Sequence, residues 1–122
     1  MLCRGIRGAT TVEQNDEQEI LLATQELLEL LVEKNALQAE DIVSAIFTLT
    51  DDLDAAFPAL AARHLGWTDT ALICAREIPV PNSLKKCIRV LLHVNTERRA
   101  AEIQHVYIKG AVNLRPTFKV DL

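Results

Sequence analysis

The sequence predicts an α+β domain in which a mixed β-sheet packs with one long and one short helix. Three observations predict it. In the run Lys85 to Asn95, Ile88, Val90, Leu92 and Val94 alternate with Cys87, Arg89, Leu91 and His93, which is the period of a strand with one apolar face. Between Asp16 and Asn35, Ile20, Leu27, Leu28 and Leu31 fall on one stripe at helical period. The chain order is strand, long helix, strand, short helix and then several strands, so sheet and helices must share one core. A single long helix is scant cover for that much sheet, which leaves a face or edge for another copy of the chain.

The first strand is expected over Leu2 to Ala9. Leu2, Arg4 and Ile6 face one way, and Cys3, Gly5, Arg7 and Ala9 the other. Arg7 therefore stands among small residues that leave room beside its guanidinium, and the glycines mark close approach by a ligand or another backbone. The long helix opens at Asp16, whose spacing to Glu19 fits a capping box, with Asn15 as a competing cap. Acidic residues crowd its first turn, where the helix dipole favours them. Thr24 interrupts the apolar stripe, Ala23 and Leu30 border it, and the helix is expected to stop near Lys34-Asn35, with asparagine in the left-handed cap.

Ile42 to Thr50 reads as the second strand. The following Asp51-Asp52-Leu53-Asp54 is read as capping and loop carboxylates rather than a metal site. Phe57-Pro58 opens a short helix, with proline suited to its first position, and Gly66-Trp67 breaks it. Arg63 lies near its C-terminal end, where a cation is favourable. Thr70 to Ala75 is the third strand, followed by Arg76-Glu77 and the stiff Pro79-Val80-Pro81 loop. After the apolar strand, Glu97 to Ala101 is helical or a turn. Gln104 to Ile108 is a short strand with His105 and Tyr107 on one face, and a tail expected to be mobile begins at about residue 116.

Composition narrows the function. The chain has 122 residues, 49% hydrophobic and 25% charged, as expected of one globular domain. Aromatics at 4% argue against base stacking, and a net charge of -4 argues against nonspecific nucleic-acid binding. Residues 1–54 hold 12 acidic and 3 basic side chains, whereas residues 55–122 hold 5 and 10. Arginines outnumber lysines 8 to 5, which suits planar recognition of carboxylates. Cys3, Cys74 and Cys87 are odd in number without metal-type spacing, so a reduced, cytoplasmic compartment is expected. No signal-peptide pattern and no membrane-spanning run is found.

The residues that do not fit a core role are Arg7, Arg63, Arg89, Arg115 and Tyr107, with Cys74 and Glu77 near a strand end. Arg89 either pairs with a local carboxylate or reaches into a pocket that awaits an anion. The cations suit a substrate with two carboxylates. With no phosphate loop, metal spacing or Ser-His-Asp arrangement, the chemistry open to them is orientation and charge stabilisation.

Five blocks then carry a resemblance: Arg4-Gly5-Ile6-Arg7-Gly8-Ala9-Thr10-Thr11, Phe57-Pro58-Ala59, Leu84-Lys85-Lys86-Cys87-Ile88-Arg89-Val90, His105-Val106-Tyr107 and Leu114-Arg115-Pro116. In this order, across essentially the whole chain, they resemble the monofunctional chorismate mutases of the Bacillus type. The resemblance implies a homotrimer with a pseudo-barrel core of sheets, helices outside, and active sites between neighbouring subunits. It implies conversion of chorismate to prephenate, on the route to phenylalanine and tyrosine, without cofactor, metal or covalent intermediate. Arg89 would donate to the ether oxygen and Glu77 would accept from the ring hydroxyl beside Cys74. Arg7 would bind a carboxylate with help from Tyr107. Phe57 and Arg63 would come from the neighbouring subunit, with Arg115 at the mouth.

The chain differs from the family pattern at Leu60, where lysine is common, at Ile73, where threonine is common, and by a loop near Leu65-Gly66-Trp67 that is one residue shorter. Leu60 predicts weaker attraction of a dianion at low ionic strength, visible in the salt dependence of kcat/KM when lysine is restored. Two other readings accommodate the same residues: a catalytically silent trimeric protein that binds or senses a small anion, and a structural oligomer with incidental arginines. Turnover of chorismate separates them from the enzyme.

Overall fold

The computed structural model describes residues 2–114. Strand β1 (Leu2–Thr11) leads to helix α1 (Glu17–Asn35), β2 (Ile42–Leu49), helix α2 (Ala59–His64), β3 (Ala71–Arg76), β4 (Cys87–Thr96) and the two-residue β5 (Val106–Tyr107). The five strands form one sheet in the order β3-β2-β4-β1-β5. β4 is central and antiparallel to both β1 and β2, while β2–β3 and β1–β5 are parallel, so the sheet is mixed, as expected. Among the described residues, no helix is long and apolar enough to cross a membrane.

One face of the sheet carries the core. Ile88, Leu92 and Val94 of β4 are fully buried and Val90 nearly so, joined by Ile6 of β1 and Ala45 and Phe47 of β2. Helix α1 lays its stripe on this face, with Ile20, Leu27, Leu28 and Leu31 all at 0% exposure. Each such side chain contributes about 1.5–3 kcal/mol by leaving water. The helix approaches closely because Gly8 lacks a Cβ: one built there would lie 2.9 Å from Leu31 Cδ1 and 3.1 Å from Leu27 Cδ1. This glycine thus admits the helix. Ala62 of α2 joins the same core cluster, so both helices cover one side of the sheet.

The helix ends differ in detail from expectation. Asp16 caps α1 by accepting from the Glu19 amide at 3.0 Å, but Glu19 does not return the bond to Asp16. Its carboxylate instead gathers the amides of Glu13 and Gln14, which bend back over the first turn. Asn15 is not a cap: its side chain ties Asp54 and Ala55 to this corner. At the other end the left-handed residue is Ala36 (φ 52°, ψ 49°) rather than Asn35. Asn35 remains helical and buried because its side chain donates to the Leu31 and Gln104 carbonyls and accepts from the Gln104 amide. Pro58 sits one position ahead of the assigned helix, with helical φ and ψ, a shift within the usual fraying of helix ends. The strand expected over Gln104 to Ile108 keeps only Val106 and Tyr107 in the sheet, paired with Gly8 and Ala9.

A bulge sets the facing of β2. Ile42 pairs with Val94 and Ser44 with His93, so Val43 is the extra residue. Ile42 stays in the core, and beyond the bulge Ala45, Phe47 and Leu49 take the core face. Ser44, Ile46 and Thr48 are turned to the opposite face, where Ser44 Oγ lies 3.0 Å from His93 Nδ1. Among the described residues, no α-helix lies over that second face. Ile73, Ile46, Leu91 and Arg7 form a cross-strand row on it, with Ile46 37% and Ile73 60% exposed.

Candidate active site

The next row on this open face runs Ala75, Thr48, Arg89, Ala9, Tyr107, one residue from each strand. Alternation alone turns Arg89 away from the core, because Ile88 and Val90 on either side are buried. Arg7, two residues before Ala9, lies on the same face, flanked by Gly5 and Ala9. Glu77 follows the end of β3 and is held in the sheet by its amide, which donates to the Leu49 carbonyl at 2.9 Å. Its carboxylate therefore returns over Thr48 towards β4.

The outcome is an ion pair that no local pattern indicated. Glu77 Oε2 lies 3.6 Å from Arg89 Nε, with the side chains 25% and 41% exposed respectively. The Thr48 hydroxyl donates to the same Oε2. At 3.6 Å the guanidinium is outside normal N–H···O hydrogen-bonding distance of the carboxylate. The carboxylate thus orients Arg89 by charge rather than by a hydrogen bond to Nε. Arg89 therefore pairs with a carboxylate and also lines an open pocket.

That pocket has a volume of about 250 Å³ and is lined by Arg7, Ile46, Thr48, Glu77, Arg89 and Tyr107, among others. Its chemistry is two guanidiniums, one carboxylate and a phenol over an apolar floor of Ile46 and Leu91, a surface suited to an organic anion. Each wall is supported from behind. The Arg7 amide donates to His105 Nδ1 at 3.0 Å, joining β1 to the segment before β5. Tyr107 packs on a small cluster of Ala9, Cys87 and Ala111, with Leu84 and Leu114 beside it. Burial pushes the Cys87 thiol up to about 11 despite the neighbouring Arg89 charge, so it is an inert packing group.

The start of β4 is pinned by the loop after β2. Asp52 accepts the Lys86 amide on both carboxylate oxygens, at 3.1 and 3.0 Å, and the Thr50 hydroxyl at 2.6 Å. Thr50 Oγ1 in turn accepts from the Cys87 amide at 3.0 Å. These bonds hold Lys86 at φ 50°, a left-handed conformation costly for a residue with a Cβ. The loop aspartates therefore serve a structural purpose at Asp52, and among the described residues no His, Cys, Asp and Glu cluster is arranged to hold a metal.

Of the eight residues singled out in the sequence, Arg7, Glu77, Arg89 and Tyr107 come together in this pocket. Phe57 and Cys74 do not join them. They line a separate cleft of about 540 Å³ with Leu60, Ala75 and Arg76, since Cys74 alternates to the core side of β3. Phe57 is 75% exposed there. Arg63 is exposed on α2, and Arg115 lies outside the described residues. Thr48 was missed by sequence reasoning, although it is a polar residue between the apolar Phe47 and Leu49 and so faces away from the core.

Comparison with known proteins places the chain in a family. The family model for chorismate mutase type I matches residues 3–118. Proteins described as chorismate mutase AroH are 48% identical in two organisms. That of Bacillus subtilis (strain 168) aligns over 117 residues, 95% of this chain and 92% of its own length. That of Thermus thermophilus aligns over 116 residues, 94% and 95%. A solved structure of a chorismate mutase from Clostridium thermocellum superimposes with a TM-score of 0.88 at 59% identity, covering 88% of this chain and 96% of that one. An apolar strand bearing one outward arginine, and a pocket of two arginines, a carboxylate and a phenol, thus have a common explanation: the chain belongs to the type I chorismate mutase family.

Proposed function

We propose that the chain converts chorismate to prephenate, with Arg89 as the group that stabilises the transition state. The reaction is an intramolecular rearrangement: one C–O bond breaks as one C–C bond forms, and no proton or external electron pair is required. The breaking ether oxygen gains negative charge. A guanidinium donor aimed at that oxygen binds the transition state more tightly than the ground state, which is what lowers the barrier. The Glu77–Arg89 separation of 3.6 Å is the observation that carries this reading, since it orients the guanidinium while leaving donors for the substrate.

The other roles follow from charge and position. Arg7 binds a substrate carboxylate, with Tyr107 donating beside it, and both help hold the compact conformer in which the reacting carbons meet. Glu77 has an unshared carboxylate oxygen for the ring hydroxyl. Phe57 and Arg63, from a neighbouring subunit of a homotrimer, complete the site from its outer side with Arg115, and Cys74 comes with Phe57, whose cleft it shares. The uncovered apolar row of Ile73, Ile46 and Leu91 supports such an assembly, as does the division of the predicted residues between two clefts.

The test is direct. Purified protein is given chorismate without added metal or nucleotide, and prephenate is measured. Turnover is expected, and a folded protein that leaves chorismate unchanged overturns the proposal. Light scattering on the same sample is expected to give three times the chain mass of 13.6 kDa.

A further inference from the structure

We infer that Thr48 is a positioning residue for the rearrangement, acting on Arg89 through Glu77; this rests on the role proposed above for Arg89. Thr48 stands opposite Ala75 on one side and Arg89 on the other, so its side chain emerges between the strands that carry the ion pair. Its hydroxyl donates to Glu77 Oε2, the oxygen that faces Arg89 Nε. Glu77 lies past the last residue of β3, at the start of the irregular Ile78-Pro79-Val80 segment. Its backbone is tied to Leu49, but three side-chain torsions separate that tie from the carboxylate.

The hydroxyl removes this freedom. It occupies one lone pair of Oε2 and fixes the carboxylate over β2, at ion-pair distance from the guanidinium. Without it, the carboxylate has two alternatives. It can swing to solvent and release Arg89, or close on Arg89 as a two-pronged hydrogen-bonded pair that consumes the donors needed by the ether oxygen. Either outcome lowers the transition-state contribution of Arg89 while leaving Arg7 and Tyr107 to bind substrate. Thr48 touches neither reacting atom in this account.

The experiment compares Thr48→Val with Thr48→Ser. Valine keeps the volume and strand preference of threonine and loses only the hydroxyl; serine keeps the hydroxyl and loses the methyl. The inference expects kcat of the valine variant to fall about tenfold with KM changed less than about twofold, a loss confined to the transition state. It expects serine to restore kcat to within about threefold of the unmodified protein. A second readout does not depend on turnover: the Arg89 Nε–H resonance, assigned by its absence in Arg89→Lys, should shift in the valine variant and hold in the serine variant. An unchanged kcat in Thr48→Val, an equal loss in both variants, or an unmoved Arg89 resonance overturns the inference. If the unmodified protein does not turn over chorismate, the reading of the site fails separately, and the resonance still decides whether Thr48 holds the pair.

Discussion

Replacing Arg89 with lysine separates catalysis from stability at one position. Lysine keeps the positive charge but replaces five planar donors with one mobile nitrogen. In the native arrangement Nε faces Glu77 at 3.6 Å, and the guanidinium carries its other N–H donors on two further nitrogens. A lysine nitrogen can stay with Glu77 or reach the ether oxygen, not both. Loss of one transition-state donor corresponds to about 2.7–4 kcal/mol, so kcat should fall by at least about 10²-fold. The cost to folding should be small, because an ion pair with side chains 41% and 25% exposed is worth at most about 1 kcal/mol after solvent screening. A midpoint shift of only a few degrees is therefore expected, on the order of 5 °C. Initial rates across chorismate concentrations, with thermal melting of the same preparations, measure both quantities. A kcat within about threefold of the unmodified enzyme refutes the assignment. Equally damaging would be a collapse in melting temperature, which would make Arg89 a structural residue.

Three further outcomes test the scaffold around the site. Gly8→Ala forces a Cβ to within 2.9 Å of Leu31 Cδ1, and overpacking of this kind should cost about 1–3 kcal/mol, read as a lower urea midpoint. Iodoacetamide at pH 8 should alkylate the exposed Cys3 but leave Cys87 unmodified until the protein is denatured, as mass spectrometry would show, because Cys87 is buried and titrates at about 11. Burial alone would push the Asp52 carboxyl up, but the Thr50 hydroxyl and Lys86 amide that donate to it hold it below the usual range. Its stabilisation is therefore present above the unfolded pKa of about 3.9 and lost as pH falls through the lower folded value. Asp52→Asn should be less stable than the parent at pH 7, and the gap in urea midpoint should narrow at about pH 3; a gap that is constant with pH would count against the Asp52 clamp.

Much of the fold was legible because it rests on short-range periodicity. The parity of Ile88, Val90, Leu92 and Val94 identified the core face of β4, and the α1 stripe identified its buried residues, all from neighbours within a few positions. The same parity put Arg89 on the open face. Its partner was not legible, because Glu77 reaches Arg89 only through the pairing of β3 with β2 and of β2 with β4, which no local pattern encodes. The facing of Thr48 was available from its apolar neighbours Phe47 and Leu49, whereas the bulge at Val43, which puts Ile42 rather than Val43 in the core, has no composition signal. Asn35 was assigned the left-handed position on propensity, but a hydrogen-bonding partner at Gln104 kept it helical and passed that conformation to Ala36. The separation of Cys74 from Glu77 followed from alternation and was available in the sequence: residues three apart on an extended segment do not share a face.

The central place of β4 gives the two sides of the pocket different lifetimes. Arg89 belongs to a strand paired along its length on both edges, so its amide should exchange with solvent only when the whole domain unfolds. Tyr107 belongs to a strand of two residues, held by its pairing with β1 and a small apolar cluster, and its amide should exchange through local opening. The group proposed to meet the breaking bond is thus built into the slowest-opening part of the molecule. The opposite wall, carried by the two-residue β5, is the part that can open without disturbing the aim of the guanidinium.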